Sequence, residues 1–449
     1  MTNKLFGTDG VRGVANVYPM DVTFASKLAD ILSKLACNNK KRVAIGKDTR
    51  VSGDMLEASL CAEFMANGID VICLGVVPTP LVTLKTASLD VDLAVMITAS
   101  HNPYSDNGLK LINANGDKFD DKFYEKIERE LENHIYSEKN PEKIGKLIKN
   151  ESAVEEYIAH LREIAPNYKA LQGLKVVLDC ANGAYYYILP QLFKDLGAGV
   201  IAINNEPNGY NINKNCGSQD TNQLAKTVKE SKAHFGIAVD GDGDRIILVD
   251  NEGNVIDGDQ LLCFLATFLK KEQKLSNDTV ISTEWSNLGL GEYLTDNGFK
   301  YYKSKVGERY VIDLMKEKKA SLGGELVGHI VLSDYAKSGD AGACALVISL
   351  AYLETKKAMS EIFPIFNPYP CVVENIRFSN KEYMQQSVEY DDVKEALLEA
   401  KKKLGENSNV IARKSGTEPV IKLRVEGQDG ALVEELASKL KELILQYKK

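Results

Sequence analysis

The run Leu93-Ala94-Val95-Met96-Ile97 is apolar at every position and stops at Thr98-Ala99-Ser100-His101-Asn102-Pro103. A strand that is apolar on both faces must be covered on both faces, which a chain achieves by laying helices over the two sides of a sheet. Pro103 ends the strand and holds Asn102 in extended geometry. Ser100 therefore stands at the carboxyl edge of an α/β sheet, where open folds of this class place their ligands. A serine there acts as a nucleophile, with His101 and Lys110 near in sequence to handle protons or negative charge, or else it closes a turn through side-chain hydrogen bonds.

The same alternation recurs along the chain. Apolar strands at 42–46 and 70–74 flank a helical pattern at 56–65, and the charged run 119–149 reads as a solvated helix and a connector. A second set has a helix at 153–164, strands at 175–179 and 235–239, and a loop at 240–245. A third has helices at 261–268 and 290–294, strands at 279–282 and 299–303, and polar loops at 305–309 and 323–329. The last runs strand, helix 393–404, strand, loop 413–419, strand 420–425 and a C-terminal helix. At 449 residues the chain exceeds one core. The expected organisation is α/β: three consecutive α/β domains with mixed sheets at 1–151, 152–254 and 255–367, then a smaller α+β domain at 368–449.

Charge and composition narrow the function. A net charge of −8 leaves no basic excess to neutralise a duplex, which argues against general nucleic-acid binding. No apolar run is long enough to span a bilayer and the first residues lack an apolar leader segment, so a cytoplasmic protein without membrane partners is expected. The eight cysteines are scattered without a C-x-x-C pair, which fits buried thiols rather than disulfides or a zinc site.

Four loops carry the chemistry. Asp240, Asp242 and Asp244 alternate with glycines, so they can fold around one hard cation and leave room for a phosphate oxygen. A solvated acidic turn is the alternative. Arg413-Lys414-Ser415-Gly416-Thr417 offers two cations, two hydroxyls and a flexible amide, a match for a phosphate monoester, though a basic surface turn has the same composition. Glu325 and His329, in a glycine-rich loop, are suited to sugar hydroxyls or a proton. The stretch 5–13 holds three glycines and Arg12, which brings amides and a guanidinium to an anion or simply makes a turn.

Taken together, Phe6-Gly-Thr-Asp-Gly-Val-Arg-Gly13, Gly46-Lys-Asp-Thr-Arg50, Thr98-Ala-Ser-His-Asn-Pro103, Asp240-Gly-Asp-Gly-Asp-Arg245, Gly324-Glu325 with Gly328-His329, and Ser415-Gly-Thr-Glu-Pro419 resemble the α-D-phosphohexomutases. The resemblance is strongest to their bacterial branch acting on glucosamine phosphates. It implies four domains around a central cleft and interconversion of glucosamine 6-phosphate and glucosamine 1-phosphate for cell-wall precursors. By the same resemblance Ser100 is the phosphorylated serine, and Asp240, Asp242 and Asp244 bind Mg²⁺ together with the Ser100 phosphate. Arg245, Gly307, Glu325, Arg413, Ser415, Gly416 and Thr417 bind substrate. Arg12, His101, Lys110 and His329 match positions of proton transfer and charge stabilisation. A hexosamine 1,6-bisphosphate would be intermediate and activator, and a homodimer the assembly.

Several positions depart from that pattern. Gly243 stands where alanine is usual and is expected to loosen the metal loop. Val327 replaces a serine hydroxyl, a lost contact worth about 1 kcal/mol, and Lys414 replaces a rigid proline. Glu284-Trp285 and Asp340-Ala341-Gly342 also differ, with no physical reason in the sequence. The rivals are the same machinery acting on glucose or mannose phosphates, and a sugar-phosphate-binding protein with little activity.

Overall fold

A computed structural model describes residues 5–7, 9–414 and 419–447. It divides into two compact units, Met1–Glu284 with Lys300–Ile365, and Trp285–Phe299 with Phe366–Lys449.

The first unit holds three sheets. In the first, strands follow the order Val11–Val14, Asp106–Asn113, Leu93–Ile97, Arg42–Lys47, Asp70–Val76 and Leu147–Lys149. All five residues of Leu93–Ile97 are fully buried. Val43, Ile45, Val95 and Ile97 pack with helices Val22–Leu35, Ser52–Ala66 and Asp121–Glu132 in one core. On the other face a Cβ at Gly46 would lie 2.6 Å from Val82 and 3.6 Å from the Met96 sulfur, so helix Thr79–Ser88 covers that side closely.

This sheet differs from expectation at two strands. Asp106, Asn107 and Gly108 look like turn formers, yet they open strand Asp106–Asn113, which pairs antiparallel with Leu93–Ile97 and makes the sheet mixed. Their polar groups are satisfied by tertiary contacts: buried Asn107 donates to Ser52 Oγ at 2.8 Å, and a Cβ at Gly108 would meet the Thr98 carbonyl at 2.5 Å. The tail of the charged run 119–149 likewise becomes an edge strand, Leu147–Lys149, parallel to Asp70–Val76.

The second sheet runs Val255–Ile256, Ile246–Val249, Phe235–Val239, Lys175–Asp179, Gly199–Ile203, and the third Lys300–Ser304, Thr279–Thr283, Leu322–Gly324, Ile330–Leu332. Helix Ala341–Thr355 has no polar stripe to betray it in the sequence, because it is buried nearly all round. Asp340 caps it, accepting from the Gly342 and Ala343 amides at 2.9 and 3.0 Å, which gives the departure at 340–342 its physical reason.

The second unit has an antiparallel sheet in the order Cys371–Arg377, Val420–Glu426, Asn409–Lys414. Ile421, Leu423 and Val425 pack against Val433, Leu436 and Leu440 of helix Gly430–Gln446. Helix Leu288–Asp296 belongs to this unit: the Leu288 amide donates to Glu426 at 2.9 Å. The Arg424 guanidinium, paired with Glu426 at 3.0 Å, sits 5.7 Å from the Trp285 ring centre, which accounts for the tryptophan.

Candidate active site

Ser100 sits at the carboxyl end of the buried strand with φ +51°, a left-handed backbone that a serine adopts at a cost of roughly 1–3 kcal/mol. Its surroundings over-determine that conformation. The Ser100 amide donates to Thr98 Oγ1 at 2.8 Å, and Thr98 donates to Asp48 at 2.6 Å. Buried Arg50, held by Asp48 at 2.9 Å, and Asn213 both donate to the Ser100 carbonyl, at 2.9 and 2.8 Å. Turning the backbone this way aims Oγ at Asp240, to which it donates at 2.6 Å, and leaves it 3.3 Å from His101 Nδ1.

Asp240, Asp242 and Asp244 are buried, with one oxygen from each within 4.8 Å of the others. The loop is pinned from several sides. Thr79, at the start of its helix, donates its amide to the Asp242 carbonyl at 2.9 Å and its hydroxyl to the Asp242 carboxylate, and the Arg245 amide donates to Asp240 at 3.1 Å. Burial, then the Asp244 and Asp242 charges, push the Asp240 carboxyl well above the ordinary range. Lys110 on strand Asp106–Asn113 reaches Asp242 at 2.7 Å, Asp244 at 2.8 Å and Asp9 at 3.2 Å. Burial opposes its charge, but those carboxylates prevail and raise it well above the usual lysine range, so Lys110 is a fixed cation. Asp242 Oδ1 and Asp244 Oδ1 remain buried without a hydrogen-bond partner. Crowded hard oxygens with unfilled lone pairs are the donor set of a divalent cation, and the three aspartates fit one.

The two histidines are driven apart. Burial, then the Arg245 and Arg12 cations, lower His101 to about 3, so its imidazole is neutral. Burial alone would lower His329 too, but Glu308 and Asp244 outweigh it and raise it to about 10. His329 Nε2 faces Glu308 at 2.9 Å and Nδ1 faces Asp244 at 3.8 Å. Both of its ring nitrogens thus point at carboxylates.

Glu325 accepts from the Gly307 amide at 3.0 Å, which joins two of the expected substrate-binding positions. Gly328 takes φ +85° and its carbonyl accepts from the Ile246 amide at 2.9 Å, so the loop 323–329 docks just after the aspartate loop 240–245. Val327 stands exposed at the tip of this turn. Arg12 donates to Asp9 at 2.7 Å and to the Ala99 carbonyl at 3.4 Å, beside Ser100. Arg413 lies on strand Asn409–Lys414 of the other compact unit, and the neighbouring Lys414 pairs with Glu389 at 2.7 Å. Ser415, Gly416 and Thr417 fall outside the described residues.

Sequence reasoning passed over Asp9, Lys118 and Glu308. Lys118 bridges Asp9 and Glu308, and Glu308 holds His329, so the three tie the N-terminal loop to the sugar loop. The signal for Asp9 and Glu308 was modest, charged residues beside glycines in loops noted for other members, and Lys118 had none. Tyr157 and Tyr185, which share Asp340 at 2.6 and 2.7 Å, gave none.

Four family models match in chain order: phosphoglucomutase/phosphomannomutase alpha/beta/alpha domain I over residues 3–138, domain II over 155–253, domain III over 257–369 and the C-terminal domain over 374–443. A phosphoglucosamine mutase of Rhizobium johnstonii is 42% identical over 443 residues, 98% of each chain. One of Bartonella bacilliformis is 42% identical over 452 residues, covering 100% of this chain and 99% of its own. The fold matches a phosphoglucomutase/phosphomannomutase family protein of Burkholderia thailandensis with TM-score 0.81 at 21% identity, over 100% of this chain and 98% of that one. It also matches the Aspergillus fumigatus N-acetylphosphoglucosamine mutase, solved in complex with GlcNAc-6P and magnesium, with TM-score 0.64 at 16% identity, over 99% and 96%. Among the described residues no helix is long and apolar enough to cross a membrane. With all four models in order and curated mutases matched end to end, the chain belongs to the phosphoglucomutase/phosphomannomutase family of phosphohexomutases.

Proposed function

We propose that the protein is a phosphosugar isomerase that interconverts glucosamine 6-phosphate and glucosamine 1-phosphate through a phosphorylated Ser100. Full-length likeness to phosphoglucosamine mutases supports the substrate. The observation that carries the chemistry is Ser100 Oγ held 2.6 Å from one of three buried aspartates, two of which have an oxygen without a hydrogen-bond partner.

A phosphate on Oγ removes the proton that now bridges to Asp240, leaving two acceptors facing one another. A divalent cation, Mg²⁺ in this reading, would be held by Asp240, Asp242 and Asp244 and would neutralise charge on the transferring phosphoryl group. Transfer to the sugar breaks the Oγ–P bond and forms a P–O1 bond, and the proton given up by the sugar 1-hydroxyl is balanced by the one Oγ takes up as it leaves phosphorus. Positioning and electrostatics carry such a step. Neutral His101, 3.3 Å from Oγ, can hold or return a proton at that oxygen. Lys110 and His329, both cationic and both facing carboxylates, act as fixed positive charge rather than as proton carriers. The resulting hexosamine 1,6-bisphosphate turns over, and its 6-phosphate returns to Ser100 by the reverse chemistry. Glu325, Gly307 and Arg245 grip the sugar, and Arg413 with Ser415, Gly416 and Thr417 grips the idle phosphate. The product feeds cell-wall precursor synthesis in the cytoplasm.

Turnover of glucosamine 6-phosphate with Mg²⁺, beside Ser100→Ala and with glucose and mannose phosphates in parallel, tests this. Conversion that needs Ser100 and is fastest with the amino sugar is expected. A preference for glucose or mannose phosphate would overturn the substrate, and a fully active Ser100→Ala enzyme would overturn the mechanism.

A further inference from the structure

Gly243 interrupts the metal loop with φ +74°, and it lies against an aromatic ring. A Cβ built there would stand 2.2 Å from Cδ2 and 2.3 Å from Cε2 of Tyr185. The ring thus occupies the volume a side chain at 243 would take. Tyr185 is itself held rigidly. It is fully buried, and its hydroxyl donates to Asp340 at 2.7 Å and lies 2.9 Å from the Tyr157 hydroxyl, which donates to the other Asp340 oxygen at 2.6 Å. Tyr157 comes from helix Ala153–Arg162 and Asp340 caps helix Ala341–Thr355.

Two backbone hydrogen bonds clamp the loop beside this ring. The Ala184 amide, from the residue before Tyr185, donates to the Gly241 carbonyl at 2.8 Å. The Ala341 amide, from the residue after Asp340, donates to the Gly243 carbonyl at 3.0 Å. The two glycines between the three aspartates are therefore each fixed by a hydrogen bond, and the segments supplying those bonds are joined to one another by the Tyr185–Asp340 contact.

We infer that Tyr185 is a positioning residue for the metal loop: its ring, anchored through Asp340, sets the backbone of Gly241–Gly243 and so the spacing of the Asp240, Asp242 and Asp244 carboxylates. This deepens the reading of those aspartates as cation ligands and rests on it. A smaller apolar side chain, as in Tyr185→Leu, removes the ring that wedges the loop and the hydroxyl that anchors it. Loss of the hydroxyl alone would keep the wedge and weaken only its anchor. A flexible loop must be ordered when the ion binds, and that ordering lowers affinity.

The test is Mn²⁺ binding to the purified full-length protein, followed by electron paramagnetic resonance, beside the Mg²⁺ concentration that gives half-maximal turnover. Tyr185→Leu should weaken Mn²⁺ binding about tenfold and Tyr185→Phe about two- to threefold. The Mg²⁺ requirement should rise in the same order, with KM for the sugar phosphate at saturating Mg²⁺ unchanged within twofold. Gly243→Ala in the native background should be as damaging as Tyr185→Leu. Combined with Tyr185→Leu, it should cost less than the product of the two single effects, because the clash is gone. Thermal unfolding establishes that each variant is folded. Should Tyr185→Leu be unfolded, Tyr185→Phe and Gly243→Ala carry the test. Mn²⁺ affinity unchanged in folded variants, or a double variant whose losses simply multiply, would overturn the proposal. A native protein that binds no Mn²⁺ would instead overturn the cation reading of the aspartates.

Discussion

Asp30 and the trio Asp240, Asp242 and Asp244 are equally hidden from solvent, yet their oxygens meet opposite surroundings. Asp30, on helix Val22–Leu35, is saturated. His134 and Lys34 reach it at 3.0 Å, Lys139 at 3.2 Å, and the Ser137 amide donates to both of its oxygens at 3.2 Å. Burial works against its charge, but the hydrogen bonds from Ser137, Lys34 and His134 hold its carboxyl below the ordinary range. The trio has one lysine, one serine hydroxyl, one threonine hydroxyl and one backbone amide among six oxygens, and two of those oxygens lack a hydrogen-bond partner. A buried carboxylate with every lone pair filled is a staple that fastens the segment after residue 132 to a helix. Crowded carboxylates with empty lone pairs are the donor set that a hard cation takes.

The largest expected separation between the two is in turnover. Asp242→Asn removes a cation ligand and should lower kcat by about 10³-fold, since metal stabilisation of transition-state charge is worth several kcal/mol. The same variant should lose the stabilisation that saturating Mg²⁺ gives the native protein, about 2.7 kcal/mol at a hundredfold excess over Kd. Asp30→Asn should leave both untouched. Kinetics and denaturant unfolding with and without Mg²⁺ check this, and a Mg²⁺-stabilised, active Asp242→Asn protein would dissolve the distinction.

In stability the order reverses. Asp30→Asn leaves His134 and the Ser137 amide with a weaker acceptor and should cost about 2 kcal/mol, toward the lower part of the range for hydrogen bonds to a charged group because Lys34 and Lys139 keep access to water. The urea midpoint should fall while kcat and KM per folded molecule stay put. A midpoint unchanged from the native protein would show that the saturated cluster is ornamental.

The contrast also marks what a sequence can disclose. Asp240, Asp242 and Asp244 announced themselves because residues two apart in a glycine loop must crowd, and Ser100 because an all-apolar strand ended beside it. Asp30 gave no sign, since His134, Ser137 and Lys139 lie more than a hundred residues away. Lys110 was legible as a charge near Ser100, but the strand that carries it was hidden behind Asp106, Asn107 and Gly108, whose turn-forming habit the sheet overrides. Helix Ala341–Thr355 escaped because a helix buried on all sides has no periodicity. Gly243 shows the same limit: its backbone freedom is an intrinsic property, while the Tyr185 ring packed beside it is a tertiary one that no local pattern announces.

The smallest effect, and the sharpest in sign, lies in pH. In metal-free protein the folded carboxyl of Asp240 is raised above its unfolded value of about 3.9, so whatever stability it lends is present below that value and lost as pH rises through the folded value. At pH 7 its ionised form is a burden, and Asp240→Asn should be more stable than the native protein, by about 1 kcal/mol. That gain should shrink as the solution is acidified and Asp240 takes up its proton. Asp30 is depressed, so its contribution is full above the unfolded value and is lost as pH falls toward the folded one. The deficit of Asp30→Asn should therefore also shrink on acidification, from the opposite side. Unfolding free energies of the three metal-free proteins test this, between pH 7 and pH 4 for Asp240→Asn and below about pH 4 for Asp30→Asn, whose deficit should stay constant above that value. Differences of the same sign at pH 7 would mean that mutual crowding of the carboxylates is not what sets the trio apart. Added Mg²⁺ should invert the Asp240→Asn difference and leave that of Asp30→Asn where it was.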